Sequence, residues 1–175
     1  MEVIKKILAC ACLMFSITVL TDAKEWRGII PLHSTRADVE RLLGLSVPEA
    51  LTGSCRCLYQ LEDVNVHILY ANGLPCGAAE QRDGRVGGWK VPRDTVIEIA
   101  VYFKSGRHLS ELKIDESKYE KVTDPELPGL FYYTNVEEGV TIEVGGHEAR
   151  SITYFAAAKD NNFRCSSPNV KPPCK

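Results

Sequence analysis

Apolar residues recur at two different periods along this chain. Val39, Leu42 and Leu43 fall at i, i+3 and i+4, one face of a helix. Thr35 followed by Asp38 three residues on resembles a capping box, and Gly44 stands where a helix stops, so the spacing predicts a helix over 35–43. Pro31 sits just before the cap. Arg36, Glu40 and Arg41 are expected on the other helix faces. After this helix the period changes to two. Val64, Val66, Ile68 and Tyr70 alternate with Asn65, His67, Leu69 and Ala71, the pattern of a half-buried strand. A strand at 56–61 is expected before it, and the turn dipeptide Asn72-Gly73 after it. Ile97, Ile99, Val101 and Phe103 define a strand over 95–103, which Ser105-Gly106 is expected to break. A short helical turn is expected near Ser110, and 118–122 reads as irregular or weakly helical. Three further strands follow at 130–134, 140–144 and 149–155, the last two joined by Gly145-Gly146.

The resulting fold class is α+β: a helix followed by an antiparallel meander, then a second, degraded copy of the same unit. Helix, loop, Leu58–Val66, turn and final strand in the first half match short helical piece, loop, Phe131–Val140, turn and final strand in the second. The domain reading is residues 24–104 as a first α+β repeat with an insertion at 74–94, residues 105–160 as a second repeat, and 161–175 as a Cys/Pro tail. A half of this size is marginal alone, so the two sheets should pack together or join edge to edge.

Residues 1–23 form a separate object. Lys5 and Lys6 precede a mostly apolar run over 7–20, and Thr21-Asp22-Ala23 offers small residues for cleavage. That is the grammar of a secretory signal peptide, and the run is short for a membrane span. An uncleaved anchor is the alternative. The expected location is therefore outside the cytoplasm: periplasm, envelope-associated or secreted, with no membrane span in the mature chain. Residues 24–175 carry 19 basic and 21 acidic residues, net −2, because the leader holds two of each. A near-neutral surface gives no footprint for nucleic acid or an anionic membrane.

Five cysteines follow the leader: Cys55, Cys57, Cys76, Cys165 and Cys174. Export makes disulfides the default, and an odd count leaves one thiol free or paired between chains. For Cys55-x-Cys57, a structural bridge to Cys76 is preferred over redox chemistry, because no Cys-x-x-Cys opens a helix. The pair also lacks the usual zinc spacing and a second close partner pair, so no metal is expected.

No catalytic motif is found. There is no Gly-x-Ser-x-Gly elbow and no phosphate-cradling loop. His147-Glu148 lacks a second histidine four residues after His147, and His33, His67, His108 and His147 stand alone. The acidic pairs Glu62-Asp63 and Glu137-Glu138 fall at turns, where solvated charge is the simpler reading. The irregular stretch 74–94 is long for a compact domain and is either a mobile insertion or a binding loop. Within it Trp89 is the candidate anchor, flanked by Lys90 and Arg93, with packing of the loop onto the sheet as the plainer role for Trp89.

The stretch Ser-Thr-Arg-Ala-Asp-Val-Glu-Arg-Leu-Leu-Gly at 34–44, then Tyr59 in a strand, then a strand ending in Asn72-Gly73, resembles the small domain of the BamE (SmpA/OmlA) lipoproteins. The same shape, duplicated in tandem, occurs in the secreted β-lactamase inhibitor proteins. The chain also resembles a group of uncharacterised exported bacterial proteins through Trp-Arg-Gly-Ile-x-Pro-Leu-x-Ser-Thr-Arg from Trp26 and Gly-Trp-x-Val-Pro-Arg-Asp-Thr from Gly88. The 74–94 insertion has no counterpart in the simple BamE pattern, and no functional residue carries over. The resemblance to the exported group implies no known activity; the leader and the lack of a catalytic motif lead to the expectation of an exported, non-enzymatic binding or interaction module whose partner is another envelope protein or peptide, needing no cofactor. A secreted inhibitor of another enzyme is the alternative, and a small hydrolase with a carboxylate or histidine site a lesser one.

Overall fold

The computed structural model describes residues 24–47, 56–74, 76 and 88–165. The expected leader, Cys55, Cys174 and most of the 74–94 insertion lie outside the described residues. Among the described residues one α-helix, α1 (Arg36–Leu43), precedes seven strands: β1 (Arg56–Gln60), β2 (Val64–Tyr70), β3 (Val96–His108), β4 (Glu120–Thr123), β5 (Leu130–Asn135), β6 (Val140–Gly145) and β7 (Glu148–Tyr154). The strands form one antiparallel sheet in the order β1-β2-β3-β7-β6-β5-β4. The chain is therefore α+β and dominated by its sheet, with β3 and β7 pairing at the centre. No helix among the described residues is long and apolar enough to cross a membrane.

Local chemistry accounts for α1. Thr35 accepts from the Asp38 backbone N–H, and the Asp38 carboxylate accepts from the Thr35 N–H in return, so the expected capping box forms. Gly44 follows the last turn. The bond from the Thr35 N–H, the Thr35 hydroxyl and then Arg41 hold the Asp38 carboxyl down at about 2, against an ordinary 3.8. A depressed native value means that the cap contributes fully above the unfolded value and is lost as the carboxyl protonates. Stability should thus fall between about pH 4 and pH 2. Asp115 and Asp124 are also held low by local bonds and titrate below the usual range too. The Asp38→Asn variant isolates the cap: its urea midpoint should vary less with pH across that window than that of the parent chain. Equal slopes would remove the box as a source of acid sensitivity.

The alternation read from the sequence sorts the sheet into two faces. On one face Tyr59, Val66, Ile68, Ile99, Val101 and Ile142 are buried, in one cluster with Ile29 and Val39 of the N-terminal segment and helix. Each such side chain contributes on the order of 1.5–3 kcal/mol on burial. Leu109, Leu112, Ile114 and Tyr119 pack against the same cluster. Leu42, expected on the buried stripe, is 43% exposed, so α1 buries a narrower stripe through Val39 and part of Leu43.

Two expectations are corrected here, and a third is met. Ser105-Gly106 does not end the third strand, which runs on to His108 and resumes pairing with β7 at Arg107 after a bulge. Gly106 faces the Glu148 side chain so closely that a Cβ there would overlap it, so the glycine permits close strand approach instead of a break. The stretch near 118–122 is not weakly helical: it is the 3₁₀ turn Glu116–Lys118 followed by β4. All four β4 residues are exposed, so no apolar period marked the strand; pairing with β5 creates it. The turn expected near Ser110 is the 3₁₀ segment Leu109–Leu112, stopped by Lys113 in the left-handed region (φ 50°).

Candidate interaction surface

The 74–94 insertion is tied to the C-terminal turn Ala158–Phe163. Cys76 and Cys165 are disulfide-bonded, with Cα atoms 5.5 Å apart. Beside that bond Trp89 and Arg164 form a β-bridge: Lys90 N–H donates to the Phe163 carbonyl (2.7 Å) and Cys165 N–H donates to the Gly88 carbonyl (2.7 Å). The Arg164 guanidinium lies 4.8 Å over the Trp89 ring. Trp89 is half-buried and Lys90 exposed, so the loop presents an aromatic ring and two cations on a braced backbone. Arg93, the third expected member, sits apart from these, packed beside Gly73 at the other end of the connection.

The preferred bridge from Cys55 or Cys57 to Cys76 is thus corrected. Cys76 is taken by Cys165, and Cys57 is a free thiol. Cys57 belongs to β1 on the helix-covered face, where Arg36 Nη1 donates to its Sγ (2.7 Å). Arg36 also donates through Nε to Asp94 Oδ1 (3.0 Å) and stacks 4.1 Å over the Tyr70 ring. Burial opposes the Arg36 charge, but the bonds to Cys57 and Asp94 outweigh it and hold the guanidinium above its ordinary value. Below it the hydroxyls of Tyr59 and Tyr70 meet at 3.1 Å; burial, then that bond, raises the Tyr70 phenol, and burial raises Tyr59. Arg36 was expected on an outer helix face. It turns inward because its carboxylate, sulfur and aromatic partners all lie under the helix start. The group locks α1 to β1 and β2.

His33 does not stand alone. Its Nε2 lies 3.3 Å from Asp160 Oδ1, and its ring meets Phe163 edge-on at 6.0 Å. Asp160 is a buried carboxylate, 4% exposed, and its second oxygen has no hydrogen-bond partner. A buried carboxylate needs a cationic or hydrogen-bonding partner, and His33 supplies it across a separation of 127 residues. The pair orients a histidine, as hydrolytic sites do, but among the described residues no hydroxyl or thiol is bonded to His33. Its evident work is to hold the C-terminal turn against the 30–34 segment, beneath the braced loop. The acidic turns are also partnered: Asp63 meets Arg27 and Arg107, and Glu138 meets Lys24.

The second sheet face is polar. Strand register lines up two rows across it. One row runs Leu58, His67, Ala100, Thr153, Thr141, Thr134, Glu120; the other runs Gln60, Asn65, Tyr102, Ser151, Glu143, Tyr132, Val122. Over β7, β6, β5 and β4 these residues are hydroxyls, a tyrosine and carboxylates, with Val122 the apolar exception. Thr134 and Thr141 share a hydrogen bond (3.0 Å), and Ser151 donates to Glu143 (3.1 Å). Tyr102 and Val122 are 43% and 47% exposed. The apolar residues of α1 and of Leu109–Leu112 go to the opposite face. The resulting surface is a pre-ordered polar platform that carries the Tyr102 and Tyr132 rings. Period-two alternation foretold a polar side on β2, β3 and β6; the seven-strand continuity of the rows needed the strand order, which no local pattern carries. Among the described residues no His/Cys/Asp/Glu cluster suited to a metal is present.

No protein-family model, curated protein or solved structure matches the chain.

Proposed function

We propose that this chain is an exported, non-enzymatic binding module of the bacterial cell envelope, whose partner is another envelope protein or peptide. The observation that carries the reading is the polar sheet face over β4 to β7, with its two cross-strand rows. Thr134 and Thr141 are already bonded to each other and Ser151 to Glu143, so a partner meets a surface that loses little freedom on contact. The disulfide-braced Trp89–Arg164 pair supplies an aromatic anchor of the kind that dominates interface energies. The leader over residues 1–23 supports export, and a disulfide is consistent with an oxidising compartment.

We also read the architecture as a duplication, because each half ends in a meander whose last strand, β3 or β7, meets the other at the sheet centre. That symmetry favours a second reading, a secreted inhibitor of another enzyme, by fold analogy alone. A stable stoichiometric complex with a hydrolase would favour it over the first.

The test is Trp89→Ala in capture from the native envelope. The variant should keep the parent's circular dichroism and lose partner capture by about tenfold or more, the scale of a central aromatic anchor. Unfolding on this change would make Trp89 a packing residue and remove the anchor from the reading.

A further inference from the structure

The two halves of the sheet are covered unequally. α1 lies over the first half, while over the second, among the described residues, the same face carries the 3₁₀ turns Leu109–Leu112 and Glu116–Lys118 and the segment between them. A half-open cleft of about 290 Å³ remains there. Its floor is Ile142, Ile152 and Tyr154, and its wall is Leu112 and Ile114. At roughly 30 Å³ for a water-sized group, 290 Å³ holds on the order of ten heavy atoms.

The rim is polar and asymmetric. Lys24 Nζ donates to the Tyr119 hydroxyl (3.3 Å) and to Glu138 Oε2 (3.2 Å). An ammonium has three protons, so one remains for a ligand. Tyr119 accepts from Lys24 and so keeps its own O–H to donate. Burial opposes the Lys24 charge, but the bonds to Tyr119 and Glu138 outweigh it and hold the amine above its ordinary value, so it is cationic at neutral pH. Two donors about one hydrogen bond apart, beside an aliphatic floor, complement a carboxylate on an alkyl chain. Glu111 also lines the cleft, and it opposes an anion there together with Glu138, whose carboxylate shares Lys24.

We propose that this cleft binds a small amphiphile, an alkyl chain of roughly ten carbons ending in a carboxylate, with the chain on Ile142 and Ile152 and the head on Lys24 and Tyr119. The site is separate from the polar sheet face and stands whether or not that face binds a protein.

The probe is decanoate, titrated calorimetrically into the chain as it accumulates in its host, with decan-1-ol as the uncharged control. Decanoate should bind saturably and at least tenfold more tightly than the alcohol. Lys24→Met should weaken decanoate tenfold or more and leave the alcohol unchanged. Glu111→Gln should tighten decanoate a few-fold, because it removes one of the two opposing charges. Leu112→Trp should block both probes; if that variant fails to fold, the two rim variants decide. Absence of saturable decanoate binding at millimolar concentration would overturn the proposal. So would equal affinity for acid and alcohol together with indifference to Lys24→Met, since that pattern is apolar adsorption without a carboxylate site.

Discussion

Replacing Cys76 and Cys165 together by serine is expected to cost about 4–5 kcal/mol, the largest effect of any change considered. The bond closes a loop of sequence separation 89, and the entropy it removes from the unfolded chain sets that scale. For a domain of this size the melting temperature should drop by roughly 10–15 °C. The effect is also local. The bond braces the 88–90 segment against 163–165, so in a chain whose other tryptophan is replaced (Trp26→Phe) the Trp89 emission should shift to the red on reduction, below the global transition. A chain that melts at the same temperature with and without reductant would mean that the bond is not closed in solution.

The second large effect is expected at a turn. Gly139, between β5 and β6, has φ 69°, and its carbonyl accepts from Phe155 N–H (2.8 Å). A Cβ there would overlap the Phe155 carbonyl and press on the Ala157 N–H. Those atoms begin the stretch that carries Asp160 to His33, and backbone cannot step aside as a flexible side chain can. Gly139→Ala should therefore cost about 3 kcal/mol, the sum of a left-handed alanine and a backbone clash. Gly146 is the control. It has a similar φ of 66°, but nothing lies within 4 Å of the added carbon. Gly146→Ala should cost only about 1 kcal/mol. Urea denaturation of both variants separates the terms; equal costs would show that Phe155 moves freely.

The elements that could be read from the chain are those built from neighbours. The capping box needs only Thr35 and Asp38, three residues apart, and it forms as expected. The alternation over β2, β3 and β6 marked their buried faces, because a period of two depends only on the strand itself. Pairings across the sheet were not legible. The spacing of cysteines favoured a neighbour for Cys76, whereas the 88–90 and 163–165 bridge carries Cys165 to it. His33 and Asp160 meet only because β7 returns to the sheet centre beside β3. Arg36 lay at a helical position that reads as outer, and its inward turn is decided by Cys57, Tyr70 and Asp94 from three other segments. β4 has no apolar pattern at all. Trp89 was singled out for its aromatic ring, and the bridge to Arg164 that braces it is a long-range feature.

The central claim is that the polar face over β4 to β7 is where this chain meets its partner. A photoreactive amino acid placed in turn at Thr141 and Tyr132, on that face, and at exposed Glu116, in a 3₁₀ turn off it, tests the claim in the native envelope. Irradiation should join the same protein to the chain from positions 141 and 132 and give no such adduct from position 116. An adduct formed only from position 116, or with equal yield from all three, would contradict the account.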